Sequence, residues 1–141
     1  MSLVRDGMVS EPTALPATAS VQEAAKHLVR PDVRAVLVVD EAGALVGVVT
    51  PDSLVRHVVA AGLDPAATPV SHAAESPVLT LDADLALDEG YRLLEEAEVQ
   101  RAPVLERGRL VGVLSRSVVQ RRLAEEETPE DETEDGGWGH D

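Results

Sequence analysis

The sequence predicts an α/β protein built from two β-α-β-β-α repeats packed about a pseudo-twofold axis. Three observations predict it. The segment Leu45-Val46-Gly47-Val48-Val49-Thr50 returns 65 residues later as Leu110-Val111-Gly112-Val113-Leu114-Ser115, and Pro12 returns at the same spacing as Pro77. Between these anchors the spacing widens to 66, aligning Ser20-Val21 with Ala86-Leu87 and Val38-Val39 with Val104-Leu105. One extra residue before the second copy's first helix is cancelled by a shorter turn, Arg107-Gly108 against Glu41-Ala42-Gly43, a change that loops between duplicated elements tolerate. Finally, strand-like and helix-like apolar spacing alternate in the same order in both copies.

In the first copy a short strand is expected after Pro12. Ser20 followed by Glu23 is a capping box, and Val21, Ala24, Ala25, Leu28 and Val29 fall on one face of the helix it opens. Pro31-Asp32 stops that helix. Arg34 to Asp40 reads as an apolar strand, Glu41-Ala42-Gly43 as its turn, and Leu45 to Val49 as the return strand. Thr50-Pro51 reads as N-cap and first position of a second helix, which is expected to carry Leu54, Val55, Val58 and Val59 inward and to end near Gly62. The second copy repeats this order. A short strand follows Pro77; Leu87, Tyr91 and Leu94 line a helix; strands are expected at Arg101–Leu105 and Leu110–Leu114; Ser115 caps a last helix through about Leu123.

The organisation expected is repeat one at residues 1–62, a linker at 63–69, repeat two at 70–124, and an acidic tail at 125–141. The tail is Gly-rich and nearly free of aliphatic residues, so it cannot bury enough surface to offset its ordering entropy and is read as disordered. The formal net charge is −14 and is uneven: nine acids and no Lys or Arg lie beyond residue 124. Residues 1–124 carry 17 acids against 12 bases. With no basic groove, and with Tyr91 and Trp138 as the only aromatics, nucleic acid is not the expected partner. No cysteine is present, which excludes disulfides, thiol catalysis and Cys-type metal sites. The longest apolar runs are far too short for a membrane span, and no apolar signal core opens the chain, so a cytoplasmic protein is expected.

One unit of about sixty residues is marginal alone. Two copies can bury their sheets and helices against each other, leaving symmetry-related crevices between the halves, and such interfaces favour small-ligand pockets. The doubled arrangement, with Leu-Val-Gly-Val-hydrophobic-Thr/Ser ahead of a helix, Pro103-Val104-Leu105 closing a strand, and Val4-Arg5-Asp6-Gly7-Met8 ahead of Pro12, resembles a tandem pair of cystathionine β-synthase (CBS) domains, a Bateman module. The resemblance covers residues 4–124. It implies a regulatory module without catalysis, dimerising as a disc and binding an adenosine-containing ligand such as AMP, ATP, NAD or S-adenosylmethionine.

Thr50 and Ser115 each close a strand and open a helix, where free N–H groups and the helix dipole attract phosphate. Arg34, Arg101 and Arg116 are candidate phosphate partners, because a guanidinium binds phosphate through a planar fork. Val36, Leu37, Ala102 and Pro103 on the preceding strands, with Thr13, Ala14, Leu79 and Thr80 after the opening prolines, would flank a purine. In the family, an Asp three residues after the Thr or Ser accepts from both ribose hydroxyls. Here those positions hold Ser53 and Val118, and the nearby carboxylate, Asp52, is one position early. The second half is therefore expected to be poor for nucleosides, and the first to keep one hydrogen bond through Ser53.

Plainer readings stand beside these. Thr50 and Ser115 are caps in any case, Asp52 favours the helix dipole, and the glycines of the repeated strands can mark close backbone approach within the fold. His27, His57, His72 and His140 are scattered, with no metal-ligand spacing. No nucleophile–base pair converges, so an enzyme is not expected. The alternative to a sensor is a ligand-free adaptor that meets an unknown protein partner through dimerisation and the acidic tail.

Overall fold

The structure, a computed structural model, describes residues 1–10 and 12–127. The chain opens with a short helix, α1 (Val4–Gly7), and a strand, β1 (Val9–Ser10). The first repeat follows as β2 (Ala14–Pro16), α2 (Val21–Leu28), β3 (Val36–Val39), β4 (Leu45–Val49) and α3 (Pro51–Leu54). The second follows as β5 (Leu81–Asp82), α4 (Leu87–Ala97), β6 (Arg101–Glu106), β7 (Arg109–Ser115) and α5 (Arg116–Glu127). The α5 helix runs four residues past the Leu123 end that periodicity suggests; the remaining tail, with Trp138, lies outside the described residues.

Sequence logic and structure agree at most junctions. Ser20 accepts from the Glu23 N–H while Glu23 returns a bond to the Ser20 N–H, completing the predicted box. Each repeat forms a sheet in which a parallel pair (β2 with β3, β5 with β6) continues into an antiparallel hairpin (β3 with β4, β6 with β7). Both hairpins shift register at equivalent places, between Val38 and Val39 and between Val104 and Leu105. Two separate cores result: Val21, Ala24, Val36, Val38, Val49 and Val58 in the first lobe, and Leu81, Leu87, Leu94, Val104, Leu114 and Val119 in the second.

Two predicted faces need correction. Val29 is 78% exposed, because α2 ends at Leu28 and Val29 serves only as its C-cap. Val55 and Val59 are 56% and 69% exposed. The helix continues past α3 as a π-helical stretch, Val55–Val59, whose wider turn changes the angular register, so that Val58 enters the core while its neighbours face outward.

The opening segments are exchanged between the lobes. Val4 is fully buried in the second core, and β1 pairs with β7. Reciprocally, Val70 and Ala73, in a 3₁₀ segment (Val70–Ala73), are fully buried in the first core, and Glu75 pairs with Val48. The bonding is equivalent on the two sides. Leu87 N–H donates to Ser2 O as Val21 N–H donates to Thr68 O, and Val4 N–H donates to Leu85 O as Val70 N–H donates to Ala19 O. Arg5 fastens the first segment through Asp84 and Glu106, at 2.6 and 2.7 Å.

This exchange accounts for the repeated glycines. A Cβ on Gly112 would lie 2.7 Å from Met8 Sδ and from Val9 O; one on Gly47 would lie 2.9 Å from Ala74 Cβ and 3.0 Å from Glu75 O. Each glycine admits the backbone of the incoming segment.

Candidate functional site

Because each opening segment packs on the opposite lobe, the chain must cross between lobes twice, from β1 to β2 and from Glu75 to β5. Those crossings and the two strand–helix junctions surround a cleft of about 600 Å³. Both Thr50 and Ser115 face it, so the two crevices expected from symmetry merge here into one chamber. Its apolar wall is aliphatic: Leu37, Val48, Val33 and Pro12 from the first repeat, Pro103, Val113, Val99 and Leu79 from the second.

The charges in the wall are Arg30, Asp32, Arg34, Glu75 and Arg101. Arg30 lies 4.0 Å from Asp32. Glu75 is held by the Arg56 guanidinium, with Nη2 donating to Oε1 at 2.9 Å and Nε to Oε2 at 3.1 Å, and by His57 Nε2 at 2.7 Å from Oε2. An ionised carboxylate cannot donate, so His57 carries its proton on Nε2 in this contact. The Arg56 bonds, then the His57 bond, hold the Glu75 carboxyl below its usual range. Arg34 and Arg101 have no ion-pair partner among the described residues. The cleft therefore presents two uncompensated guanidinium groups, one from each repeat, inside a strongly acidic chain.

The family model for the CBS domain matches residues 4–60 and again 70–125. The chain belongs to the CBS domain family. Hypoxic response protein 1 of Mycobacterium tuberculosis is 29% identical over 125 residues, covering 89% of this chain and 87% of that protein. The crystal structure of Hypoxic Response Protein I with two coordinated zinc ions superposes with a TM-score of 0.74 at 28% identity, covering 86% of this chain and 99% of that one. The crystal structure of CBSX2 in complex with AMP gives a TM-score of 0.72 at 25% identity, covering 90% and 99%. The CBS domain-containing protein YhcV of Bacillus subtilis is 27% identical over 115 residues, covering 82% of this chain and 81% of that protein. Among the described residues, no group of three or more His, Cys, Asp or Glu in this CBS pair is placed to hold a metal ion, and no helix is long and apolar enough to cross a membrane.

Of the residues singled out in the sequence, Thr13, Arg34, Leu37, Thr50, Arg101, Ala102, Pro103 and Ser115 line the CBS cleft, as does Leu79. The others are placed elsewhere. Val36 alternates with Leu37 along β3 and is fully buried in the first core. Ala14 and Thr80 are exposed outside the wall, and Asp52 is exposed on α3. Arg116 lies 4.0 Å from Glu95, away from the cleft.

Ser53 is fully buried: its hydroxyl accepts from the Thr50 N–H at 2.9 Å and donates to Thr50 O at 3.1 Å, while the Thr50 hydroxyl accepts from the Ser53 N–H at 3.2 Å. Thr50 and Ser53 thus form a closed capping box, and the hydrogen bond that the sequence reading reserved for a ribose is used inside the protein. At the other junction Ser115 accepts from the Val118 N–H at 3.3 Å, with no reciprocal bond from the apolar Val118 side chain.

Sequence reasoning missed Glu75, Arg56 and His57. Arg56 and His57 are adjacent on one helix, but Glu75 stands 18 and 19 residues further on, in a segment assigned by sequence order to the other repeat. The structure makes Glu75 the counterpart of Val9, since Glu75 pairs with Val48 as Val9 pairs with Val113; the 65-residue spacing of Pro12 and Pro77 sets Ser10 against it instead, so the sequence held no signal of the change.

Proposed function

We propose that the chain is a regulatory CBS pair without catalysis of its own, binding a small anionic ligand, an adenine nucleotide in the first instance, in the cleft between its repeats. The observation that carries this reading is the aliphatic cleft of about 600 Å³ with unpaired Arg34 and Arg101 contributed from opposite repeats. A volume of that size suits a nucleotide-sized ligand. Aliphatic walls can sandwich a flat ring, and two guanidinium groups can hold its phosphate. The complex of the similar CBSX2 with AMP supports the same choice. A ligand touching both repeats shifts their relative placement only so far as it binds one arrangement better than another.

The test is isothermal titration and thermal melting with AMP, ATP, NAD and S-adenosylmethionine. At least one should raise the melting temperature by several degrees, since a ligand bound to the native state adds to apparent stability. Arg34→Gln or Arg101→Gln should weaken that ligand about tenfold, the scale of one lost charge-assisted bond. No heat from any of the four at millimolar concentration would remove the reading.

The adaptor reading is favoured by one observation: neither Ser53 nor Val118 offers a cleft-facing group to a ribose. It predicts that the protein is stabilised by a partner protein and by none of the four nucleotides. Under both readings we propose a homodimer. Val55 and Val59, one helical turn apart and exposed, form an apolar strip suited to a second copy. Sedimentation showing a monomer at micromolar concentration would exclude that assembly.

A further inference from the structure

We infer that Glu75 is the specificity-determining residue of the cleft and that it accepts a hydrogen bond from a hydroxyl of the bound ligand. The inference rests on the cleft being a nucleotide site. Val48 and Glu75 exchange both backbone bonds, Val48 N–H to Glu75 O and Glu75 N–H to Val48 O, each 2.9 Å. Residues so paired project their side chains to the same face of the ladder. Val48 lines the cleft, and Thr50, two residues along and therefore on the same face, lines it too. Glu75 thus stands beside the Thr50 junction although it is supplied by the exchanged segment.

Its chemistry is set by its partners. An ionised carboxylate has about four acceptor sites. On Oε2, Arg56 Nε and His57 Nε2 occupy two; on Oε1, Arg56 Nη2 occupies one. One site on Oε1 stays open, on a side chain 37% exposed. It can be filled by a donor and not by a phosphate oxygen, which the carboxylate repels. Asp32, the other carboxylate of the wall, is 80% exposed and only loosely placed against Arg30. A ligand is therefore oriented with its phosphate toward Arg34 and Arg101 and its hydroxyl-bearing part toward Glu75.

The test compares AMP with 2′,3′-dideoxyadenosine 5′-monophosphate by titration calorimetry on the full chain. The wild type should prefer AMP by about tenfold, the scale of a hydrogen bond to a charged group. Glu75→Ala should bring the two affinities within about twofold of each other. Equal weakening of both ligands, with the preference intact, would mean that Glu75 only tethers the helix bearing Arg56 and His57, and would overturn the inference. Should Glu75→Ala fail to fold, Glu75→Gln, the same size without the charge, is expected to cut the preference at least about threefold; an unchanged preference overturns the inference equally. Wild-type protein that binds AMP but does not distinguish the dideoxy form sinks the role of Glu75 alone. Wild-type protein that binds neither sinks the nucleotide reading and this inference with it.

Discussion

At Thr50 the strand-to-helix junction of the first repeat is closed from both sides by Ser53, and a carboxylate borrowed from the other repeat stands beside it. At Ser115 the same junction has one capping bond, an apolar Val118, and Val9 where the first has Glu75. The backbones of the two junctions nevertheless match: equivalent hairpins, equivalent register shifts, equivalent bonds from the exchanged segments. The backbone frame is the same in the two halves, while single side chains beside each junction differ: Ser53 against Val118, and Glu75 against Val9.

The largest effect expected is a shared loss of stability across the two lobes. Leu114 is fully buried in the second core, beside Val4 from the first repeat's opening segment. Leu114→Ala should lower stability by about 3 kcal/mol, and hydrogen exchange should show both lobes losing protection together. Loss confined to residues 79–127 would show two independent units. Next in size are the glycines. Gly112→Ala should destabilise by about 2 kcal/mol, from the overlap of its Cβ with Met8 and Val9. Gly47→Ala, whose closest contacts are slightly longer, should do no more than that in urea denaturation.

A smaller contrast separates the caps. Ser53→Ala removes a buried hydroxyl with two hydrogen bonds and should cost about 1 kcal/mol, whereas Val118→Ser should stay within about 0.5 kcal/mol. Comparable losses at both sites would show the two caps to be equivalent. The smallest effect is electrostatic. In α4, Arg92 pairs with Glu89 and Glu96, and the Arg92 bonds hold the Glu89 carboxyl below its usual range. A lowered folded-state value means that the stabilisation is complete above the unfolded value, about 4.3, and is lost as pH falls through the folded one. The melting temperature of the wild type should therefore exceed that of Glu89→Gln at neutral pH, with the gap closing in acid. A gap independent of pH would assign the difference to packing.

The frame was readable from sequence because it is written in repeated local signals: the Ser20–Glu23 box, Thr50-Pro51, and the two Leu-Val-Gly strands each specify their own few residues. The exchange was not, because the spacing of a repeat does not say which lobe an opening segment joins. Glu75 was hidden for the same reason, since its partners lie in what sequence order makes the other repeat. The face of the helix after Thr50 was misread because apolar spacing assumes a uniform turn, and the π-helical stretch breaks that assumption at Val55 and Val59. Nine of the fifteen candidate site residues, Leu79 among them, reach the cleft wall; Val36 misses it by the simple alternation of a strand, and Ser53 because its hydroxyl is drawn inward.

The crossed arms also say something about ancestry and assembly. A lone ancestral unit with the same arm would have completed its core only by trading arms with a twin, as swapped dimers do. Joining two such units in one chain turns that encounter into an event within one molecule, where the effective concentration of the partner is in the millimolar range for a short tether. Severing the exposed stretch at Pro65–Ala67 should consequently leave the two fragments interlocked under native conditions, parting only when denaturant opens both cores.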